Sequence, residues 1–275
     1  MSEGTEITQE VVRAARGAAA VAVATVISAP EGAQPPAGAK LLVRAGGSRL
    51  GSIGGGALED AVAADCLAAI TKRPRSQVET ISYGADGARS DRATGDTYQV
   101  MIEVTERPAA LVIVGGGHIG QSLAAVAAIA GFSVTVLDDR EAFANADRFP
   151  SADRVICGDL VQELRGMSID GATYVVLVSR GHKQDELGLR EVVGSDAAYV
   201  GLIGSMRRVS TVLTHLAREG YPREALERVH TPIGLDIGAE TPEEIAVSIV
   251  AELVAVRRGG TGAKLSELRK ARIGD

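Results

Sequence analysis

The chain has 275 residues, 45% of them apolar and only 3% aromatic, and carries a formal net charge of −6. Its core is therefore built from Ala, Val, Leu and Ile and is large enough for one big domain or two modest ones, while the missing Trp, the few rings and the lack of a long basic run argue against a nucleic-acid binder. Cys66 and Cys157 lie far apart with no C-x-x-C, which excludes a disulfide framework and a simple zinc knuckle, and no apolar segment approaches the ~20 residues of a membrane span. The start, MSEGTEITQE, is polar and acidic and does not read as a signal peptide, so the expectation is a cytoplasmic protein with neither nucleic acid nor membrane as partner.

In chain order, the first helix is expected up to Arg16 and a Val/Ile-rich strand over Ala18 to Ser28. A Pro/Gly loop spans Pro30 to Gly38. Lys40 to Arg44 and Arg49 to Ile53 read as a hairpin turned at Gly46-Gly47. A helix from Ala57 to Thr71 follows Gly54-Gly55-Gly56 and stops at Arg73-Pro74. Val78 to Ser82 is a strand, Tyr83 to Gly95 a loop, and Asp96 to Val104 a returning strand. Glu106-Arg107-Pro108 is polar and carries Pro, and it divides an N-terminal α+β domain, residues 1–106, from a second domain, residues 107–275.

The second domain opens on LVIVGGGHIGQSLAAVAAIAGFSVTVLDDR, from Leu111 to Arg140. Leu111 to Val114 is a short apolar strand. Gly115, Gly117 and Gly120 give G-x-G-x-x-G: one glycine for the tight turn, one for close backbone approach to a phosphate, one for helix–strand contact. Ser122 to Ala130 is a helix of small residues ended by Gly131, and Ser133 to Leu137 is the next strand. N–H groups around His118, Ile119 and Gly120 then face an anion. Asp138 or Asp139 is placed to take ribose hydroxyls, with Arg140 as the competing feature that favours a 2′-phosphate. Strands at Arg154 to Cys157, Thr173 to Ser179 and Ala198 to Ile203 alternate with helices at Gln184 to Val193, Met206 to Glu219 and Pro242 to Arg257. That alternation predicts a Rossmann-like parallel sheet with helices on both faces. The apolar stretch Ile245 to Val254 of the last helix serves either as core or as a homodimer face.

Three loops fall at strand C-termini, where open α/β sheets bind ligands. In the first, His118 is either a neutral donor to a ligand or a helix-start residue with a local bond. The second, Ser179-Arg180-Gly181-His182 with Asp185, sets Arg180 for an anion and His182 with Asp185 for proton transfer if the protein is an enzyme; otherwise Asp185 is a helix cap. The third has Gly204 at a strand end, Ser205 as a cap, and Arg207 and Arg208 in a first helical turn, where cations oppose the dipole unless an anion is near. In the first domain, Gly54, Gly55 and Gly56 ahead of a helix form either a second anion nest or a tight turn, with Glu59 close by. No metal site is indicated.

The motifs GGGHIG, LDDRxxFANxxRFP (Leu137 to Pro150), SRGHxxD (Ser179 to Asp185), YVGLIGSMRR (Tyr199 to Arg208) and PIGLDIGAETPEEIAVSIVAE (Pro232 to Glu252) resemble the XdhC/CoxI family of accessory proteins for molybdenum hydroxylases. GAKLLV (Gly38 to Val43) and GSIGGGALE (Gly51 to Glu59) are similar to that family's N-terminal domain. The resemblance implies a maturation chaperone that binds molybdenum cofactor, protects it during sulfuration and delivers it to a hydroxylase apoenzyme. It implies as partners that apoenzyme and a cofactor-sulfurating enzyme. The family's Cys-Gly-Gly is replaced here by Thr94-Gly95-Asp96, so no thiol stands at that position. Two other classes stay open: an NAD(P)-dependent oxidoreductase, motivated by the glycine fingerprint, and a scaffold paralogue that binds the hydroxylase without cofactor.

Overall fold

The computed structural model describes residues 2–72 and 78–266. The expected stop at Arg73-Pro74 and the end of the tail lie outside them. The chain divides into two compact units, one up to Arg107 and one from Pro108 onward. Among the described residues no helix is long and apolar enough to cross a membrane.

The first unit contains α1 (Glu3–Ala15), β1 (Val21–Ser28), β2 (Lys40–Arg44), β3 (Arg49–Ser52), α2 (Gly56–Thr71), β4 (Val78–Tyr83), β5 (Arg89–Ser90) and β6 (Tyr98–Thr105). Its strands form an antiparallel sheet in the order β3-β2-β1-β6-β4-β5. Ala22, Ala24 and Val26 of β1 pack with Val62, Cys66 and Ile70 of α2, whereas Val21 and Val23 pack with Ile7 and Ala14 of α1. With a helix on each side, β1 is buried on both faces. That explains why β1 is apolar at successive positions, Val21 to Ala24, since a half-solvated strand would alternate. Tyr83 to Gly95 is not all loop. Tyr83 ends β4, and Arg89 pairs with it through β5. Asp65 of α2 holds both side chains, accepting from Tyr83 Oη and from the Arg89 guanidinium.

The second unit contains β7 (Ala110–Val114), α3 (His118–Ile129), β8 (Ser133–Asp138), β9 (Arg154–Cys157), α4 (Leu160–Gly166), β10 (Thr173–Leu177), α5 (His182–Val192), β11 (Tyr199–Leu202), α6 (Met206–Arg218), α7 (Arg223–Glu227), β12 (Val229–His230) and α8 (Pro242–Arg258). All six strands are parallel, in the order β12-β11-β10-β7-β8-β9. This is the doubly wound dinucleotide-fold order, with its switch point between β7 and β10. Alternate residues sort to the two faces. Leu111, Ile113, Val134 and Val136 meet Leu123, Ala127, Ile249 and Leu253 of α3 and α8; Val112, Val114, Val175 and Leu177 meet Leu164, Leu189 and Leu216 of α4, α5 and α6.

The apolar stretch of α8 is core: Ala246, Ile249, Val250 and Leu253 are buried against α3 and the sheet. Its ends follow the sequence. Thr241 and Glu244 form a reciprocal capping box ahead of Pro242, and Gly259 closes the helix in the left-handed conformation. Four short elements, β5, α4, α7 and β12, had no counterpart in the periodicity, because two to seven residues are too few to show one.

Candidate functional site

The switch point places the loop after β7 at the carboxyl edge of the sheet. Gly115 sits at φ 121°, and a Cβ there would lie 2.6 Å from the carbonyl oxygen of Val178. A Cβ at Gly120 would lie 1.9 Å from the carbonyl oxygen of Gly115, so the third glycine permits the helix–loop contact. Gly117 differs: a Cβ there would meet nothing within 4 Å. It is the N-cap of α3, which has no side-chain cap and no acidic residue in its first turn. The opening N–H groups at His118, Ile119 and Gly120 thus carry the positive end of the helix dipole without a carboxylate of α3 to answer it. His118 is exposed beside them.

Asp138, the last residue of β8, is buried at 6% exposure. Its Oδ2 accepts from the Gly116 N–H at 2.8 Å and from Arg140 Nη2 at 2.9 Å. Its Oδ1 accepts from Arg140 Nε at 2.8 Å and from the Arg140 N–H at 3.1 Å. Burial pushes this carboxyl up, but the Arg140 guanidinium and the two main-chain N–H groups outweigh it, and the net shift is downward. Arg140 is fixed from its other side by the Phe143 ring, 3.7 Å from Cζ to the centroid. Behind the loop, Arg148 Nη2 donates to the Gly116 carbonyl at 3.3 Å and to Gln121 Oε1 at 3.1 Å. Phe143 and Arg148 were not among the expected site residues. The run FANxxRFP was the available signal, and it packs against the glycine loop.

Asp138, Asp139, Arg140, Ser179, Arg180 and Gln184 line one small pocket with Gly115. Asp139 is the more open carboxylate, 3.3 Å from Arg180 Nη2 and 3.7 Å from Arg140 Nε. The Arg180 side chain is 54% exposed. Asp185 is buried, and its Oδ1 accepts from the Ser179 N–H at 3.1 Å and from Ser179 Oγ at 2.5 Å, so it ties the start of α5 to the strand end. The side chain of His182 lies outside the described residues. Gly204 and Ser205 do not line this pocket. Ser205 occupies the N-cap position of α6 but makes no side-chain cap, which corrects the expected cap. Arg207 is exposed, and the Arg208 side chain lies outside the described residues.

In the first unit the glycine loop before α2 receives an internal anion. Glu59 Oε2 accepts from the N–H groups of Ile53 at 2.9 Å and Gly55 at 3.1 Å and from Ser52 Oγ at 2.6 Å. Burial pushes the Glu59 carboxyl up, and these donors with Arg49 bring it below its ordinary value. Of the glycines expected to form a nest, the Gly55 N–H is thus taken by a carboxylate of the chain, and the Gly54 N–H donates to Ser52 Oγ at 3.1 Å.

Among the described residues no group of three His, Cys, Asp or Glu is gathered. Cys66 is buried, and burial with the Asp65 charge pushes its thiol up to about 12, so the metal-binding thiolate is suppressed. Cys157 is exposed at the end of β9. Thr94 opens an exposed turn in which its N–H donates to Thr97 Oγ1 at 2.9 Å.

Comparison with known proteins agrees with this architecture. The XdhC Rossmann domain matches residues 111–253, and the XdhC and CoxI family domain matches residues 5–84. An Escherichia coli K12 protein named "Uncharacterized protein YqeB" is 33% identical over 234 residues, covering 84% of this chain and 42% of that protein. A Bacillus subtilis protein, named as a probable subunit of xanthine dehydrogenase, is 32% identical over 162 residues, 59% of this chain and 47% of that protein. The chain thus spans less than half the length of either relative. A crystal structure from Bacillus halodurans titled as a xanthine dehydrogenase shares the fold, with a TM-score of 0.52, 21% identity, and coverage of 94% of this chain and 96% of that one. The chain belongs to the XdhC and CoxI family.

Proposed function

We propose that the protein is an accessory factor in the maturation of a molybdenum hydroxylase, one that binds the molybdenum cofactor and passes it to the apoenzyme. Both family domains are matched on one chain, and one relative is named for xanthine dehydrogenase. The observation that carries the proposal is the uncapped start of α3 at the open Gly117, with the half-exposed Arg180 guanidinium in the pocket beside the same loop.

Those donors suit the phosphate end of a pterin cofactor. N–H groups of the first turn of α3 hold the anion, and Arg180 exchanges Asp139 for it. Among the described residues no group of three His, Cys, Asp or Glu is gathered at these donors for the metal end. In this reading the main-chain N–H groups and Arg180 hold the cofactor by its anionic end, and release to an acceptor exchanges those contacts. When delivered, the group supplies the hydroxylase with its redox-active molybdenum.

The test is to incubate the protein with released cofactor and separate bound from free by gel filtration. Molybdenum should co-elute at low salt and be lost at high salt, and the loaded protein should activate cofactor-free hydroxylase. Failure of both co-elution and activation would defeat the proposal and leave the oxidoreductase alternative, for which the glycine fingerprint speaks. In that alternative, His182→Ala lowers turnover more than nucleotide affinity.

A further inference from the structure

In dinucleotide folds, the carboxylate at the end of the second strand accepts hydrogen bonds from ribose hydroxyls. Asp138 stands at that position. An ionised carboxylate has about four lone-pair sites. Asp138 receives four donors: the N–H groups of Gly116 and Arg140, and Nε and Nη2 of Arg140, at 2.8 to 3.1 Å. None is left for a ribose diol. The donor that displaces the diol is itself immobilised, since Arg140 lies over the Phe143 ring and also faces Asp139. The same turn presses on the glycine loop: a Cβ at Gly116 would lie 2.1 Å from the Phe143 carbonyl oxygen.

We propose that Asp138 and Arg140 form a closed pair that sets the specificity of this site. It rejects ligands recognised through a ribose diol, nicotinamide and adenine dinucleotides among them, and admits a phosphate ester that asks nothing of Asp138. The second half rests on the function proposed above. The rejection rests on the hydrogen-bond geometry of Asp138, with Asp139, the other carboxylate at this strand end, already facing Arg140 and Arg180. Arg140 is here a specificity residue, because its guanidinium takes the place of the diol.

NADH fluorescence and melting curves on the full chain test this, with wild type, Arg140→Ala and Phe143→Ala. Wild type should show no saturable NADH binding at millimolar concentration. Arg140→Ala removes two of the four donors, Nε and Nη2, while keeping the main-chain N–H, and should gain NADH affinity by tenfold or more, a change of about 1.4 kcal/mol. Phe143→Ala only loosens the guanidinium and should gain in the same direction by less, which keeps the test valid if Arg140→Ala fails to fold. Saturable NADH binding by wild type, or no gain in any variant that keeps its fold, overturns the proposal. Inorganic phosphate is titrated in parallel, read at the amide resonances of His118 and Ile119. A lack of any phosphate response would remove the site from the proposed function while leaving the rejection of the diol standing.

Discussion

The Gly116 N–H donates to Oδ2 of Asp138 at 2.8 Å, joining the glycine loop to the end of the neighbouring strand. This bond makes Asp138 a brace of the loop. Asp138→Asn should therefore destabilise the second unit by roughly 1–3 kcal/mol, the cost of leaving buried partners poorly satisfied. The pH dependence has a definite sign. The folded carboxyl is net lowered, so its stabilisation is fully present above the unfolded value of about 3.9 and is lost as pH falls through the folded value. Urea titrations should show the gap between wild type and Asp138→Asn shrinking below about pH 4. A gap that widens with acid would contradict the assigned ionisation.

The glycines of the loop should separate by substitution. Gly120→Ala drives a Cβ to 1.9 Å from a backbone oxygen and Gly116→Ala to 2.1 Å from another, so each should lose at least about 2 kcal/mol or fail to fold. Gly117→Ala meets open space on the protein side and should cost under about 1 kcal/mol. It should nonetheless weaken anion binding, because its methyl group stands at the start of α3. Thermal melts with phosphate titration read both effects. A folded Gly117→Ala with unchanged phosphate response would make the loop purely structural.

Arg180 should matter to ligand and hardly to stability. Its pair with Asp139 at 3.3 Å is exposed, and such pairs contribute about 0–1 kcal/mol. Arg180→Ala should keep its melting temperature and retain several-fold less molybdenum on gel filtration at low salt. At high salt the difference from wild type should vanish, because screening has already weakened the contact. Equal retention by the variant at low salt would remove Arg180 from the site.

Glu59 accepts from main-chain N–H groups of the glycine loop in the first unit, and its removal should be felt there. Glu59→Gln should lower stability by about 1–2 kcal/mol, since a charged acceptor for two main-chain N–H groups is replaced by a neutral one. The phosphate response of the His118 and Ile119 amides should not change. If those amides lose their phosphate response in a folded Glu59→Gln, the second unit does not bind the anion independently.

The two cysteines should differ in reactivity. Cys66 is buried with its thiol pushed up to about 12, and Cys157 is exposed. Iodoacetamide at neutral pH should add one group to the native protein, at Cys157, and two after denaturation, read by intact mass and peptide mapping. Rapid modification of native Cys66 would show that α2 opens readily.

Much of the architecture was legible because long elements repeat their pattern. The strand–loop–helix run from Leu111, the Arg154–Cys157 strand and the helix from Pro242 all carry a period, a cap or a glycine stop that local physics enforces. β5, α7 and β12 were not legible, since they are defined by partners rather than by their own residues. Arg89–Ser90 is a strand only because Ser82 and Tyr83 lie opposite.

The candidate site divides along the same line. The amino-acid sequence by itself determined that a glycine loop leads into a helix at a strand end, because G-x-G-x-x-G between an apolar strand and a small-residue helix leaves the backbone few alternatives. Spacing alone also placed Asp138 and Arg140 beside that loop and Glu59 beside the other. Whether those carboxylates wait for a ligand or are already satisfied depends on rotamers and on residues distant in sequence, Gly116 with Asp138 and Arg140 with Phe143. Only the tertiary structure decided that. A hydrogen bond needs a donor within about 3 Å and correctly aimed, and sequence spacing specifies neither across a turn.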